Sequence, residues 1–249
     1  VLRWEAITQS IVLRKEEKMN WVISLLLVFV FVVGCANVEP GATSAGKISG
    51  GAGTDNGALP KPLEKSDVDL LTALKGRHST REFDFEKPIP DDILATILWA
   101  ADGVNRPDGK HTAPCAMGIR YMRIYLCRAD GVWRYDQDAH ALVAVGKEDI
   151  RPRISRQNFM SQVPVVLVLA SDLSAFNERA PKLDTAMRRE WSHSAAGCIA
   201  QNVYLTAEAF GLGTVIAGGM NADEVRKGLS LKADEVPLYL MPLGYPRAK

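Results

Sequence analysis

The sequence predicts an α+β protein: a central mixed β-sheet flanked by helices. Three patterns predict it. Met122, Ile124 and Leu126 alternate with Tyr121, Arg123 and Tyr125, the period of a strand. Val163 to Ala170 is a nearly continuous Val-rich run, as in a strand covered on both faces. Leu70, Leu71 and Leu74, then Ile93, Leu94, Ile97 and Leu98, fall at helical spacing. With no internal repeat, the mixture argues for one domain around one sheet.

Taken in order, Ser66 is expected to cap a short helix running through Lys75, with the three leucines on one face and Gly76 as its end. Pro90-Asp91-Asp92 opens a second helix. After the alternating strand, Asp130-Gly131 is a hairpin turn into Val132-Trp133-Arg134-Tyr135. Trp191 to Phe210 is a long helix dense in Ala and Gly, so another helix or a flat ligand can approach it closely. Thr214 to Ala217 is a short strand. Asn221-Ala222-Asp223-Glu224 resembles a capping box. Val236 to Leu243 is the last strand. The folded domain is placed at residues 66–249.

The N-terminal part carries different signals. Trp21 to Val33 is apolar except for Ser24, shorter than the roughly 20 residues that span a bilayer. It suits the core of a secretory signal and runs into Val32-Val33-Gly34-Cys35, which resembles a bacterial lipobox. Residues 19–34 are therefore expected to be a lipoprotein signal peptide starting at Met19, and residues 1–18 are left unassigned upstream of it. Arg14, Lys15 and Lys18 lie in that upstream stretch. Cys35 would carry the lipid, and residues 35–65, rich in Gly, Ala, Ser, Thr and Pro, would be a flexible tether. The expected location is an exported protein anchored to a membrane, facing periplasm or exterior.

The 249 residues carry a net charge of +1, with 47% apolar and 24% charged residues. That is an ordinary globular composition, and it argues against a general nucleic-acid binder. Cys115, Cys127 and Cys198 form no CxxC pair, so no metal site is expected and the thiols are read as buried and inert.

The most informative segment is Gly76-Arg77-His78-Ser79-Thr80-Arg81-Glu82-Phe83. It puts two guanidinium forks and two hydroxyls on a loop past a helix end, donors matched to phosphate oxygens. Three further segments follow in order: His111-Thr112-Ala113-Pro114-Cys115-Ala116-Met117-Gly118, then Gly211 to Met220, then Leu243-Gly244-Tyr245-Pro246-Arg247. Together they resemble the nitroreductase family of FMN-dependent oxidoreductases from about Asp67 to the C-terminus. With Asn105-Arg106-Pro107-Asp108-Gly109 before the second segment, the chain looks closest to the subgroup of SagB-type dehydrogenases.

The resemblance implies a nitroreductase-like fold with FMN at a homodimer interface. By position, Arg77, Ser79 and Arg81 would hold the phosphate side of FMN, with Arg247 as a further phosphate candidate. His78 would lie along the flavin through its backbone. Pro114, Cys115 and Gly118 would sit beside the ring. Gly218 and Gly219 would offer backbone N–H groups toward N5 and O4, where no Cβ blocks the approach. The chain departs from the family's usual Ser, Asn and Gln at Cys115, Gly118 and Arg120. No catalytic side chain is implied, because flavin N5 carries the chemistry.

Other residues receive plainer readings. His111 is a surface or loop histidine, with a proton-donor role as the alternative. His193 and Ser194 belong to a helix surface. Arg151, Arg153 and Arg156 form a solvated face, and Trp133 and Tyr135 are strand aromatics. The function expected from the resemblance is two-electron transfer through FMN, from NAD(P)H as a candidate reductant to a small organic acceptor such as a nitroaromatic or quinone. A SagB-type ring oxidation, a non-catalytic flavin-binding lipoprotein and a cofactor-free structural lipoprotein remain alternatives.

Overall fold

The computed structural model describes residues 57–248. The expected signal segment, Cys35 and the expected tether as far as residue 56 lie outside the described residues.

The chain enters on the sheet earlier than its composition suggests. Strand β1 (Gly57–Ala58) pairs antiparallel with residues 141–142. Leu59 N–H donates to His140 O, and Leu63 N–H donates to Thr96 Oγ1. Residues 57–65 are thus part of the folded unit, a correction to the tether boundary. Their backbone finds partners on distant segments, which local composition cannot reveal.

Helix α1 (Leu70–Gly76) is capped by Asp69, whose Oδ1 accepts from Leu71 N at 2.8 Å and Thr72 N at 3.1 Å. Ser66 instead donates to Val68 O and closes a turn before the helix. Both residues are good caps, and the apolar period alone does not choose between them. Gly76 is the last helical residue. An ideal Cβ there would meet the Glu208 carboxylate. Strand β2 (Phe83–Asp84) follows, then α2 (Asp91–Asp102).

Strands β3 (Met122–Arg128), β4 (Gly131–Asp136) and β5 (Ala141–Gly146) form a meander. The β3–β4 turn is Ala129-Asp130, with Gly131 already paired to Arg128. Helix α3 (Arg151–Ile154) leads toward β6 (Val165–Asp172). Helix α4 (Thr185–Ala209) begins six residues before the apolar pattern does, capped by Asp184. Strand β7 (Gly213–Thr214), α5 (Ala222–Gly228) and β8 (Glu235–Pro246) complete the chain. Asn221 occupies the α5 cap without a side-chain bond, and Glu224 pairs with Arg153 at 3.0 Å rather than closing a capping box.

The strand order is β1-β5-β4-β3-β6-β8-β2, with β7 on β8. The ladders are antiparallel, and the bridge Ser79–Thr214 is parallel. Strand β6 is central and buried on both faces. Val165, Leu167 and Leu169 face the core shared with α2 and α4, whereas Val166, Val168 and Ala170 face the core shared with α3 and α5. Period-2 geometry sends successive side chains to opposite faces, so an unbroken apolar run is what a doubly covered strand requires.

The arginine run is a solvated face only at Arg156, which is exposed. Arg151 is buried, paired with Asp149 at 2.7 Å and donating to Val163 O. Arg153 is held by Glu148 and Glu224. The thiols divide three ways: Cys127 is buried, Cys115 half-buried and Cys198 exposed on α4, so the expectation of buried thiols fails at Cys198. Met117 and Gly118 sit in the left-handed region (φ 55 and 66), in a tight turn that only the glycine takes without strain.

Candidate functional site

The loop after α1 is built onto the C-terminal half of α4 and onto β7. Thr80 N–H donates to Thr214 O at 2.9 Å. The Tyr204 hydroxyl accepts from Ile216 N at 2.9 Å and lies 3.1 Å from Ser79 Oγ. With the Tyr204 proton given to Ser79, the serine O–H is left to donate outward. The Arg77 guanidinium lies 5.0 Å from the centroid of the Tyr204 ring. One tyrosine therefore fixes the arginine, the serine and the backbone of the next segment together.

His78, Ser79 and Arg81 are exposed and Arg77 half-exposed. His78 Nδ1 donates to Gly76 O at 2.9 Å. Arg247 joins the loop through its main chain, donating to Glu82 O at 3.0 Å, while its guanidinium sits 5.8 Å from the Phe85 ring centroid. The structure thus brings the Arg247 backbone to the loop and engages its side chain with Phe85.

From β7 the chain runs along α4 to Gly218 and Gly219, both exposed. A Cβ built on Gly219 has nothing within 4 Å, and one on Gly218 meets only the Tyr239 ring, at 4.0 Å. This is bare main chain facing open space. Tyr239 reaches back to His193 on α4, with Oη 3.0 Å from Nδ1. His193 and Tyr204 are eleven residues apart, which returns almost to the same helical face about 16 Å along. The cationic loop and the bare glycines therefore lie on one flank of α4.

Pro114, Cys115 and Gly118 lie on the other flank. Ala116 N–H donates to Tyr121 Oη at 3.2 Å, and that hydroxyl donates to Trp191 O at 3.4 Å. Trp191 and His193 are two residues apart, about 200° around the helix. A single chain keeps the two groups of predicted site residues on opposite sides of α4. Burial, and next the Asp102 carboxylate, push the Cys115 thiol up, so it stays neutral near pH 7.

Behind that turn, His111 is buried, correcting its reading as a surface or loop residue. Its Nδ1 lies 2.6 Å from Asp102 O and its Nε2 3.2 Å from Asp138 Oδ1. Arg120 meets the same Asp138 oxygen at 3.3 Å. Gln137 donates to Asp102 Oδ2 at 2.7 Å, and burial raises the Asp102 carboxyl above its usual range. The cluster secures the stretch that leads into Pro114.

Tyr204 and Tyr239 were not singled out by sequence reasoning. Tyr204 has Ala200 and Ala207 one turn to either side on α4, and a polar ring between two alanines on that face is the signal the sequence offers. Tyr239 sits in an apolar strand and carries no comparable mark.

An exposed loop with two arginines and a stretch of open glycine main chain, with no assembled nucleophile and base between them among the described residues, stand on one flank of α4. The class is flavin-dependent oxidoreductase. The chain belongs to the nitroreductase family, whose family model matches residues 74–245. A Methanocaldococcus jannaschii protein assigned as a nitroreductase (MJ1384) is 32% identical over 188 residues, 72% of this chain and 91% of that protein. The crystal structure of a Ralstonia eutropha protein, also assigned as a nitroreductase, superposes with a TM-score of 0.73 at 34% identity, covering 80% of this chain and 93% of the other. The NADPH:FMN oxidoreductase of Vibrio harveyi, solved with NAD+, shares the fold with a TM-score of 0.54 at 22% identity, covering 72% and 69%.

Proposed function

We propose that the chain binds FMN along this flank of α4 and passes two electrons from NAD(P)H to a small organic acceptor, a nitroaromatic or a quinone. The observation that carries the reading is the placement of the Arg77–Arg81 loop and the bare Gly218–Gly219 backbone on one helical flank, one matched to a phosphate tail and the other to a flat ring. The residues present fit such a cofactor: the donors are exposed, and no side chain fills the space over the glycines. Arg77, Ser79 and Arg81 hold the phosphate, His78 lies alongside through its backbone, and Arg247 closes the loop. The bound flavin supplies hydride transfer at N5. Gly218 and Gly219 would offer backbone N–H groups to a bound flavin at the ring edge that gains charge on reduction, where fixed donors are most effective. FMN in the Vibrio relative's name supports the choice of flavin.

Arg77→Ala tests the phosphate assignment. Removing a charge-assisted contact costs about 1.5–3 kcal/mol, so FMN affinity falls roughly ten- to a hundred-fold. Riboflavin, lacking the phosphate, binds wild type and variant alike. Equal loss for both flavins contradicts the assignment.

The second half of the site comes from a second copy. Pro114, Cys115 and Gly118 lie across α4 from the first group, so one flavin contacts both only between two chains. Leu70, Leu71 and Leu74 on α1, beside the cationic loop, are 63%, 75% and 46% exposed. Three neighbouring leucines left open are unusual on a monomer's surface. Leu71→Glu is expected to convert a dimer to monomers in light-scattering chromatography and to lose flavin with it. A dimeric, flavin-loaded variant contradicts this placement.

The protein is also proposed to be exported and held at a membrane by a lipid on Cys35, the reading of the apolar run ending in Val-Val-Gly-Cys. Growth with labelled palmitate is expected to mark the wild type and leave Cys35→Ser unmarked. An unlabelled wild type contradicts the anchor.

A further inference from the structure

The open space beside Gly218 has a polar wall. His193, exposed on α4, and Tyr239 on β8 meet there with Nδ1 3.0 Å from Oη. The rings stand edge to face, centroids 5.5 Å apart. Tyr239 is also the neighbour that a side chain on Gly218 would meet, its Cε1 at 4.0 Å. The pair therefore borders the ground assigned above to the flavin ring and its acceptor. We propose that Tyr239 and His193 are the proton source for the acceptor: Tyr239 Oη donates, and His193 Nδ1 replaces what is given. The proposal rests on the flavin reading of the same site.

The chemistry calls for such a group. A quinone that takes up a hydride becomes the hydroquinone monoanion, and its oxyanion needs one proton to complete the reduction. The family's flavin chemistry supplies the hydride, and the protein is left to supply the proton. The contact between Nδ1 and Oη can run in either direction. A neutral imidazole with its proton on Nε2 accepts at Nδ1 and ties up the tyrosine O–H. A charged imidazole donates from Nδ1 to Oη and turns the tyrosine proton outward, toward the space over Gly218. On transfer the acceptor oxygen gains the Oη proton and Oη gains the Nδ1 proton. His193 ends neutral and recovers its proton from solvent, to which it is exposed. The hydroquinone then carries one hydride and one proton more than the quinone, and the protein returns to its starting state.

On α4, Arg189 and Glu190 lie one turn before His193. Strand β8 brings Tyr239 itself, flanked by Leu238 and Leu240. Residues 213–220 and the short turn Leu173–Phe176 contain no titratable side chain. A simple clip between helix and strand would need no acid at all. The two accounts separate in the pH profile.

Full-length protein loaded with FMN is reduced with dithionite and mixed with menadione, a soluble quinone, across pH 5.5–9, for wild type, Tyr239→Phe and His193→Gln. FMN affinity is measured for each. In the wild type, reoxidation by the quinone slows as pH rises and protons for the relay become scarce. Tyr239→Phe is expected to slow it roughly a hundred-fold at pH 6, within the range of a lost general acid. His193→Gln is expected to flatten the pH profile, and FMN affinity is unchanged in both. Nitrogen NMR of cofactor-free protein provides a readout independent of turnover: Tyr239→Phe moves the His193 Nδ1 resonance. If Tyr239→Phe fails to fold, His193→Gln decides through its profile. Flavin-loaded variants with wild-type rates and profile overturn the proposal alone. A wild type that takes up no flavin overturns the flavin reading and this proposal together.

Discussion

Gly219→Leu is expected to fold as well as the wild type and to bind no flavin. The reasons are separable. Its φ lies outside the left-handed region, and a Cβ there meets nothing within 4 Å, so the folded chain accepts a side chain without strain. Surface substitutions of that kind usually stay within about 0.5 kcal/mol. For an ordered unit of this size that is a shift of roughly 1–2 °C in melting temperature. The same four carbons occupy the space where the ring must lie against the main chain. Affinity should fall by roughly a hundred-fold or more, since burying a ring against a shelf that no longer exists removes both its packing and its N–H donors. Melting curves of cofactor-free protein and flavin titrations check the two halves. A variant that binds FMN normally shows that the ring lies elsewhere.

Phe83→Ala is expected to have the largest effect on stability. Phe83 is fully buried, its ring centroid 5.8 Å from that of Phe159, and its Cδ1 is the nearest atom, at 3.1 Å, to a Cβ built on Gly244. It begins β2, pairs with Pro246 and ties the end of the Arg77–Arg81 loop to the sheet. Truncating such a ring leaves a cavity that neighbouring strands cannot close, at about 3–5 kcal/mol. At roughly 2–4 °C per kcal/mol, the melting temperature falls by some 6–20 °C. Flavin affinity falls as well, because the cationic loop loses its fixed end. Urea unfolding with and without FMN measures both, and a loss below 1 kcal/mol contradicts the packing described.

Much of this was legible in the sequence, for physical reasons. The Val-rich run of β6 is buried on both faces because its two strand neighbours and two helix layers leave it no exposed side. Arg77, Ser79 and Gly218 are expected at a flavin site through the ordered resemblance of four segments, because a short run of phosphate donors or a glycine pair is by itself a common residue choice. What was hidden depends on partners far along the chain. Thr185 to Glu190 holds only Ala186 and Met187 as adjacent apolar residues, so the first turns of α4 carry no apolar period, and the cap at Asp184 is their local mark. Strand β5 is half-buried at every position and gives no alternation. His111 reads as a loop residue until Asp102 and Asp138 close around it. The tethering role of Tyr204 exists only once Ser79 and Ile216 are folded against it.

A cationic loop and a glycine shelf on one flank of α4 are proposed to hold FMN. The most direct measurement is the visible spectrum of the purified protein, with the mass of whatever small molecule denaturation releases. The expected outcome is a yellow protein that releases FMN at roughly one per chain. A colourless protein that takes up no added FMN would contradict it.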